Sequence, residues 1–538
     1  MMAISNMRTM LAAALLIAAA SAAPVTVAIT LDAEFDSGSL CLVASSACDD
    51  AGVASSVSGN TVALVGRDSF NNDQWKWMYF RATGVGGQQV VFEIGDDFAT
   101  GGSSLNNHRM VYSYDAVSWA FFDENFRTPT ANKFTFYNNT AFSQDVVYVA
   151  YGPPYPYQRV VDHTNAVAVS PWVSPTASGF GTLIIGQSPG GVDDIGRTIS
   201  PKNLYGYKIT DADYDGPKAK IVVLSGVHAN ETLGNFTLEG LVGFLVSDEL
   251  AAAQLRRYAE FYVYPMANPD GRYAGYNRST VQVDDIDPNR AWNPPTYTEP
   301  GDTSVLSDIR QVGQAMRLDT QQDVDYLIDF HSTVNPAVPY HHGLILPQWQ
   351  SDPLWLALRG LEPALITANA SLVDFTAAKF GRDVLNAEFS ATFETVFSVN
   401  EKIDRYLKLG RNFGLAWHNV FHIPADLNFD GGLDTADWSL FVAGSEADMT
   451  GLSAIERYEL GDLDGDGKNS LEDFAMFRHL FEAANGTGSF AAMLASVPEP
   501  SSLLLVLLSV ASATTRLPRR IPTRCSLDYV DCHEGSSS

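Results

Sequence analysis

The fold is decided by the stretch Ile221-Val-Val-Leu-Ser-Gly-Val-His228-Ala-Asn-Glu231. Its first residues form an apolar, β-branched run bounded by charge and glycine, which predicts a buried strand, and a helix is expected to begin at Thr232. Functional sites in open α/β sheets lie beyond the carboxyl ends of strands, which is where His228 and Glu231 fall. Imidazole nitrogen and carboxylate oxygen are both zinc ligands, so this pair is a candidate metal site.

A second apolar run, Tyr326-Leu-Ile-Asp-Phe-His331, ends in a histidine at the same kind of position. A catalytic zinc takes three protein ligands and keeps a fourth position for water, so His331 completes a set with His228 and Glu231. Taken alone, a His-x-x-Glu pair more often consists of surface residues at the start of a helix. The second strand end is what favours the metal site.

Further motifs follow in a fixed order: Asn268-Pro-Asp-Gly271, Gly275-Tyr-Asn-Arg278, Asn289-Arg-Ala-Trp292 and Phe393-Glu394. Together with His-x-x-Glu and the strand-end His-Ser, this order resembles the zinc metallocarboxypeptidases (the funnelin family), in particular the cytosolic-carboxypeptidase-like branch. The resemblance implies an α/β catalytic domain over residues 156–422, with a mixed eight-stranded-type sheet flanked by helices. It also implies a zinc ion held by His228, Glu231 and His331. Strand-like runs alternate with helix-like runs, such as the stretch from 236 to 255, and this alternation agrees with such a sheet.

The resemblance further implies a glutamate on a late strand as the general base. Glu394 fits this role because it is a single carboxylate in an apolar, strand-like run that begins at Phe389. An isolated buried charge is costly, so a carboxylate in such a run needs a functional or structural reason. Glu388 and Glu401 are the competing candidates, and both have more polar surroundings.

By the same resemblance, Arg278 is expected to stabilise the oxyanion of the tetrahedral intermediate, as a fixed cation where negative charge develops. Asn289 and Arg290 are expected to bind the C-terminal carboxylate of a substrate, for which arginine offers a planar pair of donors. The alternative for Arg278 is a surface residue on a loop. Lys379 and Arg382 lie in the region of the family's specificity pocket. They predict either a preference for acidic C-terminal residues or two surface charges.

Residues 24–155 are predicted to form an antiparallel β-sandwich. Short alternating or β-branched runs separated by Gly, Asn and Ser are typical of this architecture, and examples lie at 62–65, 89–94, 133–137 and 145–150. The segment resembles the β-domain that precedes the catalytic domain in the cytosolic-carboxypeptidase branch. Cys41 and Cys48 close a short loop, either as a disulfide formed after export or as two free thiols.

Residues 423–490 contain a duplicated acidic loop followed by an apolar helix-like stretch. Both loops place oxygen-bearing side chains at positions 1, 3, 5, 9 and 12 with glycine at position 6, which is the spacing that calcium requires. The candidate ligands are Asp426, Asn428, Asp430, Asp434 and Asp437 in the first loop, and Asp462, Asp464, Asp466, Ser470 and Asp473 in the second. The pair resembles a dockerin type I repeat, which implies a small α-helical calcium-binding module and a cohesin-like partner. The alternative is an acidic surface linker.

The two ends of the chain resemble targeting segments. Residues 1–23 combine Arg8, an apolar run and an Ala-Ser-Ala cleavage site, which predicts a secretory signal peptide. Within residues 491–538, Val497-Pro-Glu-Pro500 precedes fifteen mostly apolar residues and three arginines, as in the Pro-Glu-Pro sorting signal of exported bacterial proteins. This run is short for a full membrane span, so we expect transient membrane association, with an additional tail from 521 to 538. The expected location is outside the cytoplasm or on the surface of a bacterium.

Composition excludes one large class of partners. The 538-residue chain carries a net charge of −28, whereas nucleic-acid binding requires a basic surface. The combined interpretation is a secreted zinc metallocarboxypeptidase that hydrolyses the C-terminal peptide bond of peptides or proteins, with zinc activating water and a glutamate as general base. Two alternatives stay open: an amidase or deacylase acting on peptidoglycan stem peptides, and a non-catalytic surface adaptor that displays the dockerin-like module.

Overall fold

The computed structural model of the protein describes residues 28–48, 52–68, 77–95, 108–128, 133–282, 286–292, 306–333, 340–369, 371–398 and 401–496. The predicted signal peptide and the predicted sorting segment with its tail lie outside these residues. Among the helices of the described part, none combines the length and apolar character needed to cross a membrane.

In its described residues, the N-terminal region has ten short strands. They are β1 (Thr30–Asp32), β2 (Ser56–Ser58), β3 (Thr61–Leu64), β4 (Tyr79–Thr83), β5 (Val91–Gly95), β6 (Val111–Ser113), β7 (Ala120–Phe121), β8 (Glu124–Thr128), β9 (Lys133–Tyr137) and β10 (Val146–Ala150). They form two five-stranded sheets, ordered β1-β4-β10-β6-β7 and β2-β3-β5-β9-β8. Buried residues from both sheets, such as Phe80 and Phe92, share one core.

The prediction of a wholly antiparallel sandwich is wrong at one pair of strands. β3 and β5 run parallel, with Val62 opposite Phe92, whereas all other pairs in these two sheets are antiparallel. The reason lies in the chain path. β4 lies between β3 and β5 in sequence but belongs to the other sheet, so the chain crosses over before β5 returns in the direction of β3.

The region predicted to be catalytic, which we call the catalytic domain, begins with α1 (Tyr157–Val167) and ends with α8 (Ile403–Phe421). Between them lie β11 (Val173–Pro175), β12 (Ile184–Gln187), β13 (Gly191–Val192), β14 (Thr198–Ile199), β15 (Asn203–Tyr205), β16 (Tyr207–Ile209), β17 (Ala219–Ser225), α2 (Thr232–Leu245), α3 (Leu250–Tyr258), β18 (Ala259–Tyr264), α4 (Pro269–Ala274), α5 (Ser307–Thr320), β19 (Tyr326–Thr333), β20 (His342–Ile345), α6 (Pro353–Leu361), β21 (Ile366–Asn369), α7 (Ala377–Asp383) and β22 (Phe389–Val396).

Its central sheet has eight strands in the order β11-β16-β18-β17-β19-β22-β20-β21. The four central strands β18, β17, β19 and β22 are parallel, and the sheet is mixed towards both edges. β17 is buried on both faces: Val223 packs with α2 and α8, and Val222 packs with α5. A strand covered on both sides is a continuous apolar run, as the sequence indicated.

One predicted helix is two helices in the structure. The helix-like stretch from 236 to 255 is interrupted between α2 and α3. Ser247 donates its hydroxyl to the Phe244 carbonyl, and Arg256 donates to the carbonyls of Leu245 and Ser247. Short polar side chains such as serine compete with the helix for backbone groups, which accounts for the break.

The N-terminal domain supports the segment that contains α4. Asp36 accepts hydrogen bonds from the backbone N–H groups at the start of α1, and Ser37 N–H donates to the Tyr273 carbonyl at 2.9 Å. Arg67, which is buried, donates to the Ala274 carbonyl at 2.8 Å. Gly275 follows α4 with φ of 71°, and a Cβ there would lie 2.3 Å from the Gly38 carbonyl oxygen. Only glycine allows this close approach between the two domains.

The C-terminal region contains α9 (Thr435–Gly444), α10 (Ala454–Glu459), α11 (Leu471–Asn485) and α12 (Ser489–Ser496). Its helices share a small aromatic core that includes Phe441, Phe477 and Phe490. The last helix continues past the predicted boundary at 490. Tyr258 of α3 belongs to the same core, so this region packs directly on the catalytic domain.

Candidate active site

Strand register brings the three predicted zinc ligands together. After β17, Gly226 has φ of 67° and turns the chain immediately before Val227 and His228. Phe330 of β19 pairs with Ser225, which places His331 next to this turn. The Nδ1 atoms of His228 and His331 are 3.1 Å apart. Glu231 Oε1 lies 2.8 Å from His228 Nδ1, and Glu231 Oε2 lies 2.6 Å from His331 Nδ1.

This arrangement fits a zinc ion. One donor atom from each of the three residues lies within 4.8 Å of the other two, and both histidines are buried. Two imidazole nitrogens and one carboxylate are a ligand set found in catalytic zinc sites. Two Nδ1 atoms that face each other beside a carboxylate need a shared positive charge at their centre, which a divalent cation supplies.

Two carboxylates that sequence reasoning missed hold the outer nitrogens of the histidines. His228 Nε2 lies 2.9 Å from Asp287 Oδ1, and His331 Nε2 lies 2.6 Å from Asp329 Oδ2. Metal-binding histidines commonly donate their second N–H to a carboxylate, which fixes the ring and the tautomer. Asp329 precedes His331 by two residues on one strand, so both side chains lie on the same face of the sheet. That alternation was the available sequence signal.

Glu394 lies beside the metal site because β22 is the next strand of the sheet. It pairs with His331 in the parallel register, so the two side chains project from the same face. Burial raises the pKa of the Glu394 carboxyl to about 8, and the nearby negative charge of Glu231 adds to this shift. The competing candidates lie elsewhere: Glu388 is exposed, and Glu401 lies 3.5 Å from His341 Nε2.

Arg278 lies at the edge of the same site. Its Nε and Nη2 donate to Asp287 Oδ2 at 3.1 and 2.8 Å, and its Nη1 lies 3.6 Å from Glu231 Oε1. Burial opposes the charge of Asp287, but the hydrogen bond from His228 and the charge of Arg278 hold its pKa below the usual range. Asp287 therefore connects one candidate zinc ligand to the predicted oxyanion-binding arginine.

The two residues predicted to bind the substrate carboxylate differ in exposure. Arg290 is 44% exposed at its side chain and lines the cavity beside the metal site. Asn289 is buried. Its side-chain amide nitrogen lies 3.1 Å from His331 Nε2, and its side-chain oxygen accepts a hydrogen bond from the backbone N–H of Ala377 at 2.9 Å. Asn289 thus lies against the histidine and is anchored to the wall of the cavity through the Ala377 N–H, while Arg290 faces the opening.

The remaining described side chains that line this cavity are neutral. They are Leu344, Ser371, Leu372, Val373, Thr376, Ala378 and Thr392. Lys379 is instead paired with Asp383 at 2.9 Å and with Asp374 at 3.4 Å, and Arg382 is paired with Asp383. Both charges are therefore neutralised on the surface of α7, as the second of the two sequence interpretations had it.

A buried arginine binds the backbone of the segment that carries His228 and Glu231. Arg272, in the Asn-Pro-Asp-Gly-Arg stretch, donates to the carbonyl of Tyr155 at 2.7 Å and to the side chain of Asn235 at 2.9 Å. It also contacts the carbonyls of His228 and Glu231, both at 3.4 Å. A fully buried guanidinium that binds carbonyl oxygens holds the loop between β17 and α2 in place.

The two acidic loops of the C-terminal region have matching geometry. In the first, Asp437 Oδ1 accepts the N–H of Leu427 at 2.8 Å, and in the second, Asp473 Oδ1 accepts the N–H of Leu463 at 2.7 Å. The candidate ligand atoms of Asp462, Asp464 and Asp473 lie within 4.8 Å of one another. One oxygen of the first aspartate in each loop, Asp426 Oδ1 and Asp462 Oδ1, is buried without a hydrogen-bond partner among the described residues.

Comparison with known families agrees with this geometry. Residues 191–342 match the family model of zinc carboxypeptidases (M14), and residues 31–151 match that of the cytosolic carboxypeptidase N-terminal domain. The first match contains His228, Glu231 and His331, and Glu394 follows its end. These matches agree with the two parts of the resemblance drawn from the sequence motifs.

Individual relatives lie in the same group. Cytosolic carboxypeptidase 6 of Homo sapiens is 27% identical over 259 residues, which cover 43% of this chain and 50% of that protein. The mouse protein of the same name is 25% identical over 259 residues. The chain thus spans about half the length of the curated relatives it matches.

Among solved structures, a metallo-carboxypeptidase from Burkholderia cenocepacia has the same fold. Its TM-score is 0.57 at 21% identity, over 72% of this chain and 98% of that one. The catalytic fold is therefore that of the carboxypeptidases, with a β-rich region in front of it. The chain contains a zinc carboxypeptidase (M14) domain preceded by a cytosolic carboxypeptidase N-terminal domain.

Proposed function

We propose that the protein removes C-terminal residues from peptides or proteins by zinc-dependent hydrolysis. The observation that carries this proposal is the position of Glu394, which shares a sheet face with His331 and a cavity with both His228 and His331. A carboxylate beside a candidate metal site is placed to take a proton from water and return it to the leaving amine. A surface adaptor has no need for a buried carboxylate there, since such a group costs stability.

The other residues around the cavity are assigned to metal binding, to stabilisation of the oxyanion and to binding of the substrate carboxylate. When bound by His228, Glu231 and His331, zinc supplies Lewis-acid polarisation of a carbonyl and lowers the pKa of water. Arg278, fixed by Asp287, presents a cation where negative charge develops on the carbonyl oxygen. Arg290 is exposed at the cavity and is suited to bind the free carboxylate that defines a chain end.

We also propose that the preferred C-terminal side chain is neutral. Apart from the site residues already described, the described side chains that line the cavity are aliphatic or carry a hydroxyl, and Lys379 and Arg382 have carboxylate partners of their own. A pocket for glutamate or aspartate needs a cation that is free to pair with the substrate. Leu344 and Thr392 instead favour a side chain of moderate size and no charge.

The test is release of amino acids from a mixed peptide library by the purified protein, with added zinc and with a chelator. Glu394→Gln is expected to lower the rate by about 100-fold to 10,000-fold, the range for loss of a general base. Glu388→Gln, an equally conservative change on the same segment, is the matched control and is expected to have no effect. Zinc-dependent release that is independent of Glu394 contradicts the proposed role.

The same experiment distinguishes the alternatives. Preferential release of glutamate or aspartate would refute the neutral pocket while leaving the carboxypeptidase in place. No release from peptides by a protein that binds zinc would direct attention to peptidoglycan stem peptides. No zinc bound would favour the non-catalytic adaptor.

For the C-terminal region, we propose that the two acidic loops bind calcium. Hard oxygen ligands at loop positions 1, 3, 5, 9 and 12 are what calcium takes in proteins. The unpartnered, buried oxygens Asp426 Oδ1 and Asp462 Oδ1 support this, because a buried carboxylate oxygen without a donor is otherwise costly. Calorimetric titration with calcium chloride is expected to detect two sites, and no heat of binding would refute the proposal.

We further propose that the protein acts outside the cytoplasm of a bacterium. The structure contains a disulfide between Cys41 and Cys48, and disulfides persist mainly in oxidising compartments. Fractionation of expressing cells is expected to find the protein in the envelope or medium, with its N-terminus near residue 24. Recovery from the cytoplasm with an intact N-terminus would contradict this. Transient membrane association and a cohesin-like partner stay predictions from the sequence.

A further inference from the structure

The two acidic loops differ in which residues hold their first aspartate. In both loops, one oxygen of this residue accepts the N–H of the glycine at position 6: Gly431 donates to Asp426 Oδ2 at 2.9 Å, and Gly467 donates to Asp462 Oδ2 at 3.0 Å. The other oxygen, Oδ1, is buried and without a partner among the described residues. This shared pattern leaves Oδ1 as the atom available to an ion in each loop.

A second donor to Oδ2 fixes the carboxylate further, and here the loops diverge. In the second loop the donor is Arg457, which belongs to α10 of the same region and lies 3.2 Å from Asp462 Oδ2. In the first loop it is the hydroxyl of Tyr258, at 3.0 Å from Asp426 Oδ2. Tyr258 is the last residue of α3 and belongs to the catalytic domain.

Two further residues of the catalytic domain bind the first loop. The Tyr214 hydroxyl donates to the carbonyls of Phe429 at 2.5 Å and Asn428 at 3.1 Å. The Arg257 guanidinium lies over the ring of Phe429 at 4.9 Å and forms an ion pair with Glu459 of α10. The loop is therefore seated on a surface formed by Tyr214, Arg257 and Tyr258, which we name the loop platform.

We propose that Tyr258 of the catalytic domain orients a ligand of the first calcium site. Calcium bound there stabilises the packing of the first loop on the catalytic domain. This inference rests on the proposed calcium sites and extends them. A group that orients a ligand contributes to metal affinity even though it does not touch the metal. Because Tyr258 orients Asp426 from the other domain, the affinity of the site depends on how the two domains are docked.

The coupling works in both directions by thermodynamic necessity. If docking on the platform strengthens calcium binding at the first loop, then calcium at that loop strengthens docking. Calcium at the first loop is thus expected to stabilise the contact between the C-terminal region and the catalytic domain. The second loop differs, because Asp462 is held by Arg457 of the C-terminal region itself. The predicted cohesin-like partner has no part in this contact.

The test is calcium titration of the full-length protein in a background in which the second loop is disabled by Asp464→Ala and Asp466→Ala, which remove two exposed ligands. In this background, Tyr258→Phe is expected to weaken calcium binding by about 10-fold to 100-fold. Tyr262→Phe is the matched control, because its hydroxyl also donates to a carboxylate of the catalytic domain, Glu260, at 2.8 Å. It is expected to leave calcium binding unchanged.

A second readout is hydrogen exchange of the backbone amides of α3 in the full-length protein. Calcium is expected to slow this exchange when the first loop is intact and to have no effect after Asp430→Ala, which removes an exposed ligand of that loop. This comparison decides the matter even if Tyr258→Phe fails to fold, because it leaves the platform unaltered.

The outcomes separate the two proposals. If Tyr258→Phe binds calcium with unchanged affinity, and if calcium does not alter hydrogen exchange in α3, the coupling between the first loop and the catalytic domain is refuted. The proposal that both loops bind calcium is then unaffected. No calcium binding by the unaltered protein overturns both. Neither result bears on the carboxypeptidase proposal, whose test is release of amino acids.

Discussion

The close contact between α2 and α8 provides a sharp prediction about stability. α2 begins directly after the candidate ligand Glu231, and its position is set by packing on α8. Gly240 faces α8 so closely that a Cβ there would lie 2.0 Å from the Leu407 carbonyl oxygen. Gly243, one turn further along the same helix, is exposed, and a Cβ at that position would point into open space.

The two glycines therefore respond in opposite ways to alanine. At either position alanine improves helix propensity by about 1 kcal/mol. At Gly240, the obstacle is backbone, so the helices must separate by on the order of 1 Å, and overpacking of this kind costs roughly 3 kcal/mol. Gly240→Ala is expected to destabilise the protein by about 2 kcal/mol, whereas Gly243→Ala stabilises it by about 1 kcal/mol.

Thermal unfolding followed by circular dichroism measures the difference. About 3 kcal/mol between the variants corresponds to roughly 6 to 12 °C in Tm for domains of this size. Gly240→Ala is also expected to bind zinc more weakly, because a displaced α2 moves Glu231 away from the two histidines. Equal Tm values for the two variants would refute the account of helix packing.

Two further predictions concern buried carboxylates. Asp329→Asn is expected to weaken zinc binding by about 10-fold to 100-fold, measured by competition with a chelator, since it replaces the charged acceptor that orients His331 by a neutral amide; unchanged affinity would show that the charge of Asp329 has no part in holding the ring. Burial, aided by Asp270, raises the pKa of Asp308 to about 7, above its unfolded value, so stability is expected to fall as pH rises from about 4 to about 7. Asp308→Asn should remove this dependence and raise stability at pH 8 by at most roughly 4 kcal/mol, and an unaltered pH profile of Tm would contradict the assignment.

The metal site was predictable because its ligands lie near the carboxyl ends of two strands, His228 and Glu231 beyond β17 and His331 within the last residues of β19. His228 and His331 each come after or within a short apolar run, and runs of that kind stack side by side in a parallel sheet. The register that sets Glu394 beside His331 extends the same rule to β22. At these positions the apolar pattern of each strand is enough to predict where its polar residue lies in the sheet. The ligands and Glu394 could therefore be predicted from the sequence.

The supporting residues depend on contacts between distant parts of the chain. Asp287 reaches His228 from a loop 59 residues away, and nothing in its neighbourhood indicates which histidine it holds. The ion pairs of Lys379 and Arg382 form within α7, where charge alone did not distinguish a pocket from a surface. The parallel pairing of β3 with β5 likewise follows from a crossover between sheets, which strand patterns do not record.

The C-terminal region illustrates the same distinction. Ligand spacing and turn glycines are local, so the two loops and the helices that follow them could be anticipated from 423 onwards. The docking of the first loop on Tyr214, Arg257 and Tyr258 could not, because those residues belong to another domain and each has an ordinary role in its own element.

The central claim is that His228, Glu231 and His331 hold one zinc ion next to Glu394. The most direct measurement is anomalous diffraction at the zinc edge from crystals of the zinc-loaded protein. We expect one strong peak in the catalytic domain, about 2.0–2.2 Å from Nδ1 of both histidines and from a carboxylate oxygen of Glu231, with Glu394 close by but not a ligand. No peak at this position, or a peak on the Nε2 side of the histidines, would contradict the account.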